Sequence, residues 1–592
     1  MNKFLSIILS IFVLGCVVIV TNFWIRGFYE SVRTYRSPVV GVDLPALSPA
    51  NLSAPGQVVL VIVSGLGQLN AETLDMPALS QIRQTGAAAT VQSQPPTFTQ
   101  TSWGTLVTGA PPDSNDAPPV DVSGAGPRPI GVGTIFSRAH AAQLKTALLG
   151  DETWRQLIPR NDLDQVFYVN PADPAGDQLV FENALLALDG DAVDLLVVQF
   201  SLLAHAARNQ GGTGGAAYRE AARQIDAYVG QIHQRMDLGR GVLLVVGDHG
   251  YTADGGRGGA EPELTQQPLV LAGGLVSPGN YSDVYQTDIA PTITTLLGVE
   301  PPGAAQGRIL FEMLRLPQAD TATAQLLLAE QRIGLAQTIE EIVSGQPSNA
   351  AAALESDLEQ AQQTLAQNNL SGAFQLAQLA QESADDVLAA AQRQHISGKQ
   401  LSRLLLSAGL LLLWGGLLWR RRGKYVSVIV IAAALTVALY HILYQLQGFE
   451  YSLSAINDFS TWPFSVARRV AVSLLAGGGL ILITLMLTGE ENWLIALGTG
   501  YGFGVLVTFV FALPLFWAFW QNGWQVELYL PAVDVVFWQI TATFEAMIAA
   551  AIGLFLPWPI MLLIVFVTRT RRLLSGEPQP PPKPDALPGL HL

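Results

Sequence analysis

"VLLVVGDHGYTADGGRGG" occupies Val242 to Gly259. Its first five residues are uninterrupted aliphatic side chains, mostly β-branched. Such a run suits a strand buried on both faces, not one that alternates between core and water. The run breaks at Gly247, and Asp248 and His249 stand side by side at the break. Carboxylate and imidazole are both metal donors. Eight residues beyond His249, between two glycine pairs, comes Arg257. A guanidinium stays protonated and cannot coordinate a metal.

Two further runs read the same way, VVLVIV (58–63) and LLVVQF (195–200), and helical patterns such as YREAARQIDAYVGQI (218–232) lie between them. Apolar strands separated by helices predict an α/β fold, a mostly parallel sheet with helices on both faces. Sites in such folds form in the loops at the carboxyl ends of the strands. Ser64, Ser201 and Asp248 fall at those ends.

The whole chain is less soluble in character than this segment. Of 592 residues 49% are hydrophobic and 13% charged, and the mean hydropathy is +0.33. That charged fraction is about half the usual value, which points to membrane segments. The net charge of −15 argues against nucleic-acid binding, which needs basic surface. Cys16 is the lone cysteine, so no intramolecular disulfide forms.

Six regions are expected. Residues 1–25 form an N-terminal transmembrane helix, long enough for a ~30 Å hydrocarbon core. A linker covers 26–55 and the α/β domain 56–316. Residues 317–400, rich in Ala, Leu, Gln and Glu with apolar residues three and four apart, form a helical stalk. A five-span α-helical membrane region covers 401–568, with spans near 403–419, 425–445, 467–487, 493–519 and 541–567, the last kinked or shortened at Pro557-Trp558-Pro559. Residues 569–592 are a disordered Pro-rich tail. The basic stretches RRRGK (420–424) and RTRR (569–572) predict a multi-pass cell-membrane protein with the large domain extracytoplasmic and the tail cytoplasmic. Arg26, Arg33 and Arg36 pull the other way. His441 and Glu545 fall within predicted spans, where an ionisable group marks either a site or a pair satisfied inside the bundle.

QPPTFTQTSWGTLVTGAPPDSN (94–115) carries several hydroxyls ahead of a short helix or turn closed by Gly109. A hydroxyl there can cap the helix or, with its pKa lowered, act as a nucleophile. This stretch resembles the nucleophile segment of the alkaline phosphatase superfamily. The nearest branch is the type I phosphodiesterase/nucleotide pyrophosphatase group, with the GPI ethanolamine-phosphate transferases as relatives. Thr99 matches the nucleophile. DMPALSQIRQTGA (75–87), GDHGY (247–251) and TDIAPTITTLLGV (287–299) are similar to further family segments. The resemblance implies an alkaline phosphatase-like domain over about 56–314 and chemistry with two divalent metals.

The ligand positions implied by that resemblance are largely altered. Ser64 stands where an aspartate is expected. Ala204 and Arg208 replace an aspartate and a histidine, and His205 lies between those positions. Arg257 replaces the last histidine. Asp248, His249 and Thr99 are retained. A single divalent ion, Zn or Mn, at Asp248 and His249 is one expectation and no metal the stronger one. Arg208 and Arg257, with His205 and Ser64, are candidates for holding an anion, because guanidinium groups bind phosphate bidentately; the alternative pairs the arginines with acids such as Asp254 or Glu261.

Two functions follow. One is a metal-site-degenerate pseudoenzyme whose domain binds a phosphate-containing or lipid-linked ligand or a partner at the bilayer. The other is an active phosphodiesterase or phosphoethanolamine-type transferase that uses Thr99 with one metal and two arginines. Protein partners are not readable from the sequence.

Overall fold

The computed structural model describes residues 3–50, 52–53, 56–120, 128–190, 193–346, 349–419, 424–456 and 460–575. The three apolar runs are strands, and they are neighbours. Among the described residues the strands are β1 (Val58–Val63), β2 (Ala87–Gln92), β3 (Thr146–Asp151), β4 (Gln165–Val169), β5 (Leu195–Phe200), β6 (Val242–Gly247), β7 (Gln266–Gly273), and the two-residue β8 (Gly279–Asn280) and β9 (Val284–Tyr285). The sheet order is β4-β3-β5-β1-β6-β7-β2-β8, with β9 also on β2. Strands β4 to β6 run parallel, and β7 alone reverses against both β6 and β2.

The strands are apolar throughout because both faces are covered. Val58, Leu60 and Ile62 face one hydrophobic cluster, and Val59, Val61 and Val63 the other. Successive side chains point to opposite faces, so β1 has no polar side. The helix expected near 218–232 spans Ala216–Arg235, and that near 75–87 spans Pro77–Thr85.

Register sets the site. Val63 pairs with Phe200 on one side and Gly247 on the other. Ser64, Ser201 and Asp248 therefore leave the sheet at one level. Strand β2 runs in the same sense as β6, across antiparallel β7, so residues 93–99 emerge at that edge too.

The helical parts differ from expectation in their joints. The N-terminal helix runs Lys3–Arg33, through the first part of the predicted linker. The stalk comprises Gln318–Ser344, Asn349–Ala366 and a helix of 50 residues, Leu370–Trp419. That last helix carries the stalk into the first C-terminal span without a break at 400, because residues 395–406 contain neither proline nor a capping turn. Further membrane helices span Val426–Leu446, Trp462–Leu487, Trp493–Asn522 and Val533–Phe555, and Pro557–Ser575 continues the last after a break at Leu556. Proline lacks the N–H that would carry the helix on. Among the described residues six helices are long and apolar enough to cross a membrane. Residues 576–592 and 420–423 lie outside the described residues, so most of the predicted tail and most of the first basic loop do too.

Glu545 is buried and accepts from the Tyr440 hydroxyl. His441, at the end of its helix, meets the Tyr451 hydroxyl at 2.8 Å. Arg469 is buried under the rings of Tyr444 and Phe449. The intramembrane ionisable groups singled out in the sequence are thus both partnered.

The α/β domain sits on the membrane helices through named contacts. The Tyr35 hydroxyl lies 2.6 Å from the Asp113 carbonyl and 2.9 Å from that of Leu528. Arg36 donates to both oxygens of buried Asp116. The Ser454 hydroxyl, in the turn between two membrane helices, bonds Glu261. Phe98 belongs to the same apolar cluster as Leu453, Ile456 and Trp462.

Candidate functional site

Asp248 and His249 are both 0% exposed. They occupy the first two positions after β6, where the sheet ends and backbone N–H groups lose their ladder partners. Asp248 supplies those partners itself. Its Oδ1 accepts from the N–H of Gly65 (2.9 Å) and of His249 (2.7 Å), and its Oδ2 accepts from the indole N–H of Trp103 (2.9 Å). Gly65 must be glycine here: its φ is +88° and a Cβ would fall 2.8 Å from the Tyr251 ring and 3.0 Å from the Ala204 backbone.

Ser64 is equally enclosed. Its hydroxyl accepts from Gln199 Nε2 at 3.0 Å and lies 3.4 Å from Trp103 Nε1. The same Gln199 amide donates to Ser201 (2.9 Å), while its carbonyl accepts from Asp151 N–H (2.9 Å). Trp103 stacks on Trp154 with centroids 4.4 Å apart and planes 6° apart. Ala204, in the predicted aspartate position, packs against Gly65.

Thr99 is the first residue of the Thr99–Thr108 helix, and Phe98 is the N-cap with no side-chain hydrogen bond. The hydroxyl is therefore not a cap. It lies 3.0 Å from His249 Nε2. His249 Nδ1 lies 2.9 Å from the Gly250 carbonyl, which can only accept. Nδ1 thus carries the proton, and in the neutral ring Nε2 accepts from Thr99. The helix closes at Gly109 with φ +68°.

The Arg257 loop is held to the segment before the Thr99 helix through its backbone. Thr97 donates to the Gly259 carbonyl and accepts from Gly258 N–H, both at 3.0 Å. The Phe98 ring fills the space a Cβ on Gly258 would need, at 2.4 Å, and Gly258 has φ +88°. The Arg257 guanidinium lies 5.9 Å from the Phe98 ring centroid.

Ser64, Thr99, Asp248 and His249 are thus joined in one bonded cluster, with Arg257 one residue away at Phe98. Arg208 is not part of it. It lies at the exposed end of the Leu202–Asn209 helix, its Cα beside Gly255. His205 on the same helix meets Asn209 at 3.3 Å.

Sequence reading missed Trp103 and Gln199. Trp103 is four residues after Thr99, so the two share one helix face, and that spacing was the available signal. Gln199, a lone polar residue in an apolar strand, was the other.

A profile described as type I phosphodiesterase / nucleotide pyrophosphatase matches residues 58–116, from β1 through the Thr99 helix to Asp116. Residues 58–116 are thus similar to the type I phosphodiesterase / nucleotide pyrophosphatase family. Human GPI ethanolamine phosphate transferase 2, catalytic subunit, is 24% identical over 372 residues, 56% of this chain and 36% of that protein. Mouse GPI ethanolamine phosphate transferase 3, catalytic subunit, is 27% identical over 234 residues, 38% and 20% of the two chains. The chain thus matches about a third of the first relative's length and a fifth of the second's. Human ectonucleotide pyrophosphatase/phosphodiesterase 5 has 11% identity and a TM-score of 0.34, covering 44% of this chain and 98% of its own.

Alkaline phosphatase superfamily members typically use metals, which need convergent donors. Among the described residues no three His, Cys, Asp or Glu converge. Both Asp248 oxygens already accept N–H bonds, and a cation on His249 Nε2 would have to displace the Thr99 hydroxyl. One carboxylate, one imidazole and two hydroxyls do not fit a two-cation centre.

Proposed function

We propose that this protein is a membrane-bound, metal-site-degenerate member of its family, whose α/β domain holds a phosphate-containing, lipid-linked ligand without two-metal turnover. The observation that carries this reading is the state of Asp248: its carboxylate is committed to Gly65, His249 and Trp103. Removing any of those bonds to admit a cation would leave a buried N–H unsatisfied, at about 1–3 kcal/mol each. The phosphate end of the ligand is received at Thr99, the first residue of its helix, where the positive end of the helix dipole favours an anion. Arg257 supplies positive charge beside Phe98.

A lipid-linked ligand is supported by where Phe98 lies, in the apolar cluster of the membrane helices. The large domain is extracytoplasmic on this reading. The turns at 447–456 and 523–532 share its side, whereas Arg569, Arg571 and Arg572 end the last helix on the opposite side.

A second reading is favoured by the Thr99–His249 contact at 3.0 Å. It makes Thr99 the nucleophile of a phosphodiesterase or ethanolamine-phosphate transferase, the activity in the relatives' names. Metal analysis of the purified full chain, with hydrolysis of an aryl phosphodiester by the parent and by Thr99→Ala, separates the two. Metal-free protein with no difference between parent and variant is expected. Stoichiometric zinc or manganese, with turnover abolished by Thr99→Ala, rejects the first reading.

A further inference from the structure

A second polar cluster lies away from Thr99, where the stalk enters the membrane. Its helix reads SGKQLSR at 397–403 and then LLLSAGLLLLW at 404–414. Leu404, Leu405 and Leu406 are exposed large hydrophobics, so Arg403 marks the boundary between water and hydrocarbon. Beside it the turn between Asn522 and Val533 folds back against the helix and leaves a cavity of about 160 Å³. Arg403, His395, Asn522 and Tyr529 line it with donors, and Leu530 and Val535 add an apolar wall.

These donors are under-used. The Arg403 side chain is 15% exposed, yet its contacts are long: 3.4 Å to the Gln521 carbonyl and 3.7 Å to Glu527. A guanidinium carries five N–H groups in a planar fork that matches phosphate. The Tyr529 hydroxyl is buried and has no hydrogen-bond partner among the described residues. Glu527 is the sole carboxylate lining the cavity, and it pairs closely with Lys399. His395 Nε2 stands 3.8 Å from the same carboxylate. Lys399, outside the lining, thus neutralises Glu527, and Arg403 is left as the cation that faces the cavity. A buried donor and an under-coordinated guanidinium each cost stability unless an acceptor arrives.

We propose that this cavity binds the phosphate of a phospholipid headgroup in the leaflet on the α/β-domain side. Arg403 and Tyr529 donate to the phosphate oxygens, and the acyl chains run down the exposed leucines of the same helix. The site is separate from Thr99 and does not rest on the function proposed for it.

The test is native mass spectrometry of the detergent-solubilised full chain with dioleoyl phosphatidic acid, with dioleoylglycerol, which lacks the phosphate, and with inorganic phosphate as competitor. The parent is expected to retain phosphatidic acid and not dioleoylglycerol. Arg403→Gln should lower that occupancy about tenfold, the loss of one bidentate charged contact, and Tyr529→Phe about threefold. Arg393→Gln, exposed one helical turn before Ser397, should leave it unchanged. Tyr529→Phe keeps the ring and guards against a folding failure of the arginine variant. Equal retention of phosphatidic acid by the parent and both variants overturns the proposal. Full competition by equimolar inorganic phosphate overturns the lipid assignment.

Discussion

The indole N–H of Trp103 donates to Oδ2 of Asp248 across 2.9 Å, and both residues are buried. An aromatic donor thereby satisfies a buried carboxylate oxygen. The bond links the helix that begins at Thr99 to the loop after β6, and it fixes the height of Thr99 above the sheet.

Trp103→Phe removes the indole N–H and, with its smaller ring, part of the stack on Trp154. The orphaned Asp248 oxygen should destabilise the fold by about 1–3 kcal/mol. Thermal melting of the full chain in detergent reads this; an unchanged midpoint would mean the bond contributes nothing.

Gly258→Ala tests the seat of Phe98. The residue has φ +88° and its Cβ would meet the ring at 2.4 Å, so strain of about 1–3 kcal/mol is expected. Displacing Phe98 should also loosen the Arg257 loop, read as faster limited proteolysis between Ala253 and Ala260.

Glu261 and Ser454 couple the α/β domain to the membrane helices. A double-mutant cycle with Glu261→Gln and Ser454→Ala should return a coupling energy of about 0.5–3 kcal/mol, the range for residues in direct contact. Additive losses would show that the two parts do not depend on this bond.

Asp177 gives a pH dependence. Burial pushes its carboxyl up to about 6, against the opposing backbone bonds from Ser201 and Leu202. The unfolded value is about 3.9, so the folded protein binds the proton more tightly. Its contribution is then complete below pH ~4 and is lost as pH rises through about 6. The parent should therefore lose stability between pH 4 and 7, on the order of 2 kcal/mol, whereas Asp177→Asn, which leaves one of the two backbone N–H groups without an acceptor at every pH, should show no such slope. Melting midpoints of the two proteins at pH 4.5 and 7 check the sign.

The strands were legible because a sheet covered on both faces tolerates only apolar residues, and VVLVIV, LLVVQF and VLLVV are uninterrupted. Their shared site edge was legible too, since parallel strands place their carboxyl ends together. The stalk boundary was not. Water-facing and lipid-facing helix have the same backbone periodicity, so the composition change near 400 marks where the surroundings change and not where Leu370–Trp419 ends.

The sequence alone determined the α/β domain and the membrane helices, because each depends on local pattern: hydrophobic period, glycine placement and run length. Only the tertiary structure decided which polar groups meet. Arg208 and Arg257 look equivalent as replacements for ligands, yet one ends an exposed helix and the other lies against Phe98. Trp103 and Gln199 look like core, yet they satisfy Asp248 and Ser64. A hydrogen bond depends on distance and direction across residues far apart in the chain, and neither is set until the sheet register has brought Ser64, Thr99 and Asp248 to one edge.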